Sequence, residues 1–174
     1  MEEIVLETER LYLRKFIPEE DAAFFVELVN SPKWLRFIGD RNIHTEEAAI
    51  KSLTERALKS YEEHGYGGYV IIEKTSGQKV GNAGLYRRPI FEHADVGYAL
   101  LPQFEGKGYA FEAAQGVVQF ARGLKMKHIY GITVAYHTRS VHLLEKLGLK
   151  FERVFRMEGD PEELSLYGMP LENG

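Results

Sequence analysis

Apolar and polar positions alternate near the start of the chain, and their spacing then lengthens to that of helices. The alternating apolar positions are Leu11, Leu13 and Phe16. They predict a strand over about residues 10–17, and a proline followed by acids predicts a helix that runs to about Val29. A short, partly buried helical turn is expected at 34–38, and Thr45 begins a long amphipathic helix that ends near Gly65.

Period-two patterns become frequent in the middle of the chain and return near its end. Strands are expected at residues 69–73, 79–86, 94–101, 129–134, 149–155 and 164–169. The turn at 75–78 joins the first two strands as an antiparallel hairpin. Two further helices separate the later strands. Their apolar faces contain Ala113, Val117, Phe120, Leu124, Val141, Leu144 and Leu147. Gly148 ends the second of them.

The predicted order βααβββαβαββ combines hairpins with helical crossovers, which implies a mixed sheet. We therefore predict an α/β (α+β mixed) fold, in which one domain over residues 1–174 has a central, mostly antiparallel sheet flanked by about four helices. A chain of 174 residues, of which 44% are hydrophobic, is sufficient for one such core. Ligands of such sheets usually bind at the carboxyl end of a central strand, here the strand at 94–101.

Composition excludes several classes of site and partner. The chain has no cysteine, which rules out a disulfide scaffold, a thiolate metal site and a cysteine nucleophile. Its net charge of -4 argues against nucleic-acid binding by bulk electrostatics. Met1 is followed by two glutamates instead of a signal peptide, and no apolar run approaches membrane-spanning length. We expect a cytoplasmic protein that binds neither nucleic acid nor membrane.

The strand predicted at 94–101 leads into a glycine-punctuated turn that opens a helix. Gly106 and Gly108 lack a Cβ, so the backbone can turn sharply and approach a phosphate or pyrophosphate with unpaired helix N–H groups. The spacing fits neither phosphate loop of nucleotide enzymes. Lys107 is followed by glycine instead of a hydroxyl residue, and Glu112 stands in place of the third glycine of a dinucleotide loop. From the loop alone, a simple turn between strand and helix remains an equal alternative.

The loop and its flanks resemble a known family. Residues 106–113 read Gly-Lys-Gly-Tyr-Ala-Phe-Glu-Ala. This string is similar to the GKGYATEA form of the signature Gln/Arg-x-x-Gly-x-Gly/Ala in the GNAT superfamily of acetyl-CoA-dependent N-acetyltransferases. The form is common in the branch that includes ribosomal-protein alanine N-acetyltransferases. Further stretches resemble this branch in order and spacing, at residues 11–14, 30–38, 95–98 and 140–149. The resemblance therefore covers almost the whole chain.

The resemblance implies that acetyl-CoA is the co-substrate and that no metal is required. Backbone groups at 98–101 would contact the thioester in a gap between two splayed strands, and the loop at 106–111 would hold the pyrophosphate. The residues that the resemblance places in CoA binding are Tyr98, Ala99, Leu100, Leu101, Glu105, Gly106, Lys107, Gly108, Tyr109, Ala110, Phe111, His137 and Ser140.

Two positions depart from the family pattern. Glu105 stands where Gln, Arg or Trp is usual, and its carboxylate is expected to point into solvent because it would repel a pyrophosphate. His137 stands where the branch usually has an Asn that helps to hold the pantetheine arm, and one imidazole nitrogen could replace that amide.

Acetyl transfer to an amine needs a group that protonates the leaving thiolate and a group that accepts the proton of the amine. The resemblance points to Ser140 as the acid and to Tyr136 as the second candidate. Helix capping is the alternative role of a serine near a helix start. Asp95 is the favoured base, while Glu92 and His93 lie just before it in the sequence.

The expected reaction is direct attack, in a ternary complex, by a primary amine of a protein N-terminus or of a small molecule. The resemblance implies an acceptor pocket near Trp34 and Tyr167, with His93 as a further candidate, although a lone tryptophan also suits the core. A monomer or a homodimer is expected. Two other interpretations stay open, namely a non-catalytic acyl-CoA-binding sensor of the same fold and a nucleotide-binding module.

Overall fold

Eight strands form one sheet in the computed structural model, which describes residues 2–171. The strands are β1 (Ile4–Glu7), β2 (Leu11–Lys15), β3 (Gly68–Glu73), β4 (Lys79–Tyr86), β5 (Asp95–Leu100), β6 (His128–Thr133), β7 (Lys150–Phe155) and β8 (Leu164–Pro170). Their spatial order is β1-β2-β3-β4-β5-β6-β8-β7. The mixed, mostly antiparallel sheet predicted from the hydrophobic pattern is confirmed. Residues 1 and 172–174 of the predicted domain lie outside the described residues.

Helices cover the sheet and connect its strands. They are α1 (Pro18–Val29), α2 (Pro32–Phe37), α3 (Glu46–Leu53), α4 (Lys59–His64), α5 (Tyr109–Gly123) and α6 (Thr138–Leu147). A π-helical segment, Thr54–Leu58, joins α3 to α4, so residues 2–171 contain five continuous helices. Glycines in the left-handed conformation end two of them, at Gly65 and Gly148 as predicted. Within this range no helix is both long enough and apolar enough to cross a bilayer.

The pairing of β5 with β6 determines the shape of the sheet. Within residues 2–171, all neighbouring strands are antiparallel except this pair, whose parallel register consists of Asp95 opposite Tyr130. One hydrogen bond of 3.0 Å, from the Tyr130 N–H to the Ala94 carbonyl, marks the same point. Beyond this point β5 stays paired with β4 as far as Leu100, while β6 diverges from β5. A gap therefore opens toward the carboxyl ends of β5 and β6, where the loops leading to α5 and α6 begin.

Two local features differ from the pattern-based prediction. The first predicted strand corresponds to β2, and the additional strand β1 pairs with it through an irregular register between Ile4 and Leu6. Four residues are too few for a clear alternation, which is why β1 was missed. Leu124 was assigned to the apolar face of α5, but it follows the end of that helix and is 40% exposed. Ala113 and Val117 of the same predicted face are fully buried, as expected.

A buried ion pair fastens α1 to the sheet. Arg14 of β2 donates two hydrogen bonds to Asp21 of α1, at 2.9 and 2.8 Å. Asp21 also accepts a hydrogen bond of 2.7 Å from the backbone N–H of Ile17, and it forms an ion pair with the Lys79 ammonium at 2.8 Å. Burial alone would raise the pKa of Asp21, but these donors outweigh it and hold the pKa below its usual range. Both members of the Arg14–Asp21 pair are almost completely inaccessible to water.

Candidate functional site

The glycine loop forms an open cradle of backbone N–H groups. Gly106 and Gly108 both adopt φ of +82°, the left-handed conformation that favours glycine. A Cβ on Gly106 would meet no atom within 4 Å, so the backbone conformation, and not lack of space, requires glycine there. The first helical hydrogen bond of α5 runs from the Glu112 N–H to the Gly108 carbonyl and is 3.1 Å long. The preceding N–H groups therefore project from the end of α5, where they suit an anion.

Glu112 anchors this loop to the turn between β1 and β2. Its carboxylate accepts the Thr8 hydroxyl at 2.5 Å, the Arg10 backbone N–H at 2.8 Å and the Arg10 Nε at 2.6 Å. Arg10 also donates from Nη1 to the Lys107 carbonyl at 2.8 Å, and its guanidinium lies over the Tyr109 ring. Burial would raise the pKa of Glu112, but the bonds from Thr8 and Arg10 outweigh it and lower the pKa. No local sequence pattern indicates this anchor, since its partners are remote in the chain.

Glu105 forms an ion pair instead of pointing freely into solvent. Its carboxylate contacts the Lys33 ammonium of α2 at 2.5 Å and is 23% exposed. The pair neutralises the charge that would otherwise oppose a bound phosphate, and it connects α2 to the loop. Gln103 lies three residues before Gly106, which is the spacing of the first signature position. The first signature position is therefore occupied by Gln103, and Glu105 departs from the family pattern at a different position, directly before Gly106.

A hydrogen-bonded hydroxyl pair lies at the gap between β5 and β6. The hydroxyls of Tyr98 on β5 and Ser140 on α6 are 3.0 Å apart, and Ser140 is only 9% exposed. Burial raises the pKa of Tyr98 to about 12, with the Ser140 bond acting in the opposite direction. Tyr98 therefore keeps its proton at neutral pH, and either hydroxyl can donate in this bond. Residue His137 occupies the N-cap position of α6, which has no side-chain cap. The Ser140 side chain thus bonds to Tyr98 and does not cap the helix.

The segment before α6 packs against α2. His137 stacks on Phe37 with ring centroids 3.7 Å apart, and burial, together with the cations Lys33 and Arg36, lowers the pKa of His137. The imidazole is therefore neutral at pH 7 and has a nitrogen able to accept a hydrogen bond. The next candidate acid, Tyr136, is half exposed, and its hydroxyl donates to a carboxylate of the β7–β8 connection, Glu162, at 2.5 Å. That bond raises the pKa of Tyr136.

Asp95 and His93 lie at the other end of β5. Asp95 is buried and accepts the Arg88 Nε at 2.7 Å. It precedes Tyr98 by three residues, so the two side chains are on opposite faces of the sheet and about 10 Å apart along the strand. His93 packs near His128 and Tyr130, with ring centroids 5.0 and 5.4 Å away. The predicted acid and base candidates are therefore not brought into one cluster.

The remaining predicted residues are partly structural. Trp34 is half-buried beside the core, and its indole Nε1 is buried with no hydrogen-bond partner among residues 2–171. Tyr167 is buried in β8 and contacts the Phe151 ring. The Tyr109 ring is buried and its hydroxyl bonds to Glu73. The Lys146 ammonium lies 4.1 Å over the Phe111 ring. Ala99, Leu100 and Ala110 are half-buried, and Leu101 is buried in the core.

Known proteins are similar to this chain in sequence. A family model described as an acetyltransferase (GNAT) domain matches residues 10–150. The uncharacterised N-acetyltransferase YoaA of Bacillus subtilis is 26% identical over 171 residues, covering 95% of this chain and 96% of that protein.

Solved structures share the fold. A GNAT-family acetyltransferase from Bacillus anthracis superposes with a TM-score of 0.79 at 22% identity, covering 99% of this chain and 100% of the other. A ribosomal L7/L12 alpha-N-protein acetyltransferase in complex with coenzyme A superposes with a TM-score of 0.72 at 17% identity, covering 97% and 98%. The family match, together with the splayed strands and the glycine loop, confirms the predicted resemblance: the chain belongs to the GNAT acetyltransferase family and is an N-acetyltransferase.

Proposed function

We propose that this N-acetyltransferase uses acetyl-CoA and binds it along the β5–β6 gap. The observation that carries the proposal is the continuity of the glycine cradle, the open strand edge and the Tyr98–Ser140 pair at one end of the sheet. The pyrophosphate fits the N–H groups of residues 106–111, and the thioester fits the edge of β5 at residues 98–100 that faces away from β4. His137 is suited to hold the pantetheine arm. A structural neighbour that binds coenzyme A supports the same donor.

Ser140 is the proposed acid. The amine nitrogen attacks the thioester carbonyl carbon, a C–N bond forms, and the C–S bond breaks to release the CoA thiolate. The thiolate takes the proton of the Ser140 hydroxyl, and Tyr98 replaces that proton across their hydrogen bond. The Tyr98 phenolate then regains a proton from solvent when the products leave. Ser140 itself is only 9% exposed, which limits the access of water to this proton relay. No step requires a metal.

The acceptor amine approaches from the opposite face of β5, where Asp95 lies. Asp95 is the proposed base, and it acts through water because it is remote from the Tyr98–Ser140 pair and bonded to Arg88. The unpartnered indole N–H of Trp34 is a candidate donor to the acceptor. The proposed acceptor is a small-molecule amine or a protein N-terminus, and the latter is supported by a structural neighbour that is a ribosomal-protein acetyltransferase.

Thiol release from acetyl-CoA, measured with a panel of small amines and alanine- or serine-terminated peptides, tests the proposal. Turnover with at least one acceptor is expected. Binding of CoA without turnover for any acceptor would instead support the sensor. In parallel, thermal unfolding should shift upward with CoA and not with ATP or NAD, because binding to the native state alone raises stability. Protection by ATP or NAD without protection by CoA would support the nucleotide-binding module.

Substitution Glu112→Gln is expected to raise the Kd for CoA about tenfold, because the amide has one acceptor oxygen where the carboxylate has two, so the donors of Thr8 and Arg10 that position the loop cannot all be satisfied. Isothermal titration with CoA measures the change. The matched control is Glu47→Gln, an exposed glutamate in the first turn of α3. Equal CoA affinities in the two variants would show that the anchor does not contribute to the cradle.

A further inference from the structure

Strand β7 forms one outer edge of the sheet. It pairs with β8 on one side and, among the residues that the structure describes, has no strand on the other. Five of its six residues are exposed, and the apolar side chains of Phe151 and Val154 are 56% and 49% accessible. A strand of this length with free backbone donors and acceptors is a template for another strand, and its exposed apolar residues add a contact surface.

A bulge in β7 sorts its side chains between the two faces of the sheet. Phe151 is opposite Tyr167, and Arg153 is opposite Leu166, with Glu152 as the extra residue between them. Val154 is opposite Ser165, so it shares the Tyr167 face with Phe151.

The charged residues of β7 lie together on the other face. Glu152 contacts His128 at 3.2 Å, and Arg153 lies over the Phe91 ring. Lys150 and Phe155 share this face, because they are opposite Gly168 and Leu164. The apolar pair and the charged residues of β7 are thus segregated by the bulge.

The geometry points to a second copy of this chain as the occupant of the β7 edge, paired antiparallel about a twofold axis between Glu152 and Arg153. In this register Phe151 lies opposite Val154 of the second copy, and Glu152 lies opposite Arg153. Every opposed pair then shares a face, as cross-strand pairs must. The symmetry repeats each contact twice, so two apolar pairs and two ion pairs form.

Other registers about a twofold axis do not place all opposed side chains on the same face of the sheet. A shift by one step places Glu152 opposite Glu152, or Arg153 opposite Arg153, and it also puts neighbouring opposed side chains on different faces. A shift by two steps places Phe151 opposite Glu152, or Arg153 opposite Val154, again on different faces. A bulge usually deters edge pairing. Here the two bulges lie opposite each other across the twofold axis. Only in the proposed register do all opposed side chains therefore lie on the same face of the sheet.

Sedimentation velocity on the full chain over a wide range of concentrations tests the inference. A dimer of twice the 19.9 kDa chain mass is expected. Val154→Lys, which places a charge opposite Phe151, should give a monomer. Each of Glu152→Arg and Arg153→Glu should raise the dimer Kd about tenfold, because two attractive pairs become repulsive, and the double variant should recover the affinity.

Ile90→Lys is the control, since Ile90 is exposed and apolar but lies outside β7. Far-ultraviolet circular dichroism verifies that each variant is folded. A wild-type chain that stays monomeric at every concentration would overturn the inference. So would a dimer whose Kd is the same in Val154→Lys and in Ile90→Lys, since another surface would then form it. Loss of affinity in the double variant equal to that in the single variants would exclude the proposed register.

Discussion

Ser140→Ala is expected to lower kcat about a hundredfold, because the departing thiolate loses its proton donor. The KM for acetyl-CoA should change little, since the cradle and the strand edge remain. Tyr98→Phe removes only the group that reprotonates Ser140, so a smaller fall in kcat is expected. Steady-state kinetics with a saturating acceptor measure both effects. A raised KM with unchanged kcat would instead mean that Ser140 holds the substrate before the reaction.

The matched control for Ser140 is Thr138→Ala. Thr138 is also a hydroxyl residue in the first turn of α6, but it is exposed. Its removal should leave kcat unchanged. A comparable loss of kcat in both variants would indicate a general effect on α6, and retention of most of the activity in Ser140→Ala would exclude Ser140 as the acid.

Asp21→Asn is expected to lower the free energy of unfolding by about 3 kcal/mol, because it leaves the Arg14 guanidinium buried without its counter-charge. For a chain of this size the loss corresponds to a Tm roughly 6–12 °C lower. Urea and thermal unfolding measure it. Glu20→Gln is the control, since Glu20 is an exposed acid on the same turn of α1. A stability of Asp21→Asn equal to that of the control would show that the buried pair is not stabilising.

The stability difference between wild type and Asp21→Asn should depend on pH in a defined way. The donors around Asp21 hold its folded pKa below its usual range. Its contribution is therefore fully present above the unfolded value, about 3.9, and is lost as pH falls through the folded pKa. Unfolding titrations should show a constant difference near neutral pH and a shrinking one in acid. A difference that persists undiminished in strong acid would contradict the assignment.

Local sequence signals predicted the elements that form the glycine cradle. The run through Leu101, the turn at Pro102 and the glycines at 106 and 108 identified a strand that ends in an anion cradle, and the structure has this geometry. The same signals act over a few residues, through φ preferences and free N–H groups, so they can be recognised without a fold. The short strand β1 was missed because its stability comes from pairing with β2 and not from its own pattern.

The chemistry of the site depended on contacts that no local pattern contains. Glu112 was considered only as a failed third glycine, yet it holds the loop through Arg10, which is 102 residues away. From the sequence Ser140 was a candidate for a helix cap as well as for an acid, and only the packing of α6 placed its hydroxyl against that of Tyr98, 42 residues earlier. Asp95 and Tyr98 are near in sequence, but strand alternation puts them on opposite faces.

Sequence alone thus determined the order of the strands and helices after β1, the family resemblance and the glycine turn that suits an anion, because periodicity and turn chemistry are short-range properties of the chain. The tertiary structure alone decided which side chains meet at the gap, which acid anchors the loop and which strand is left at the edge. Those outcomes depend on sheet register and helix packing, which bring together residues that have no regular spacing along the chain.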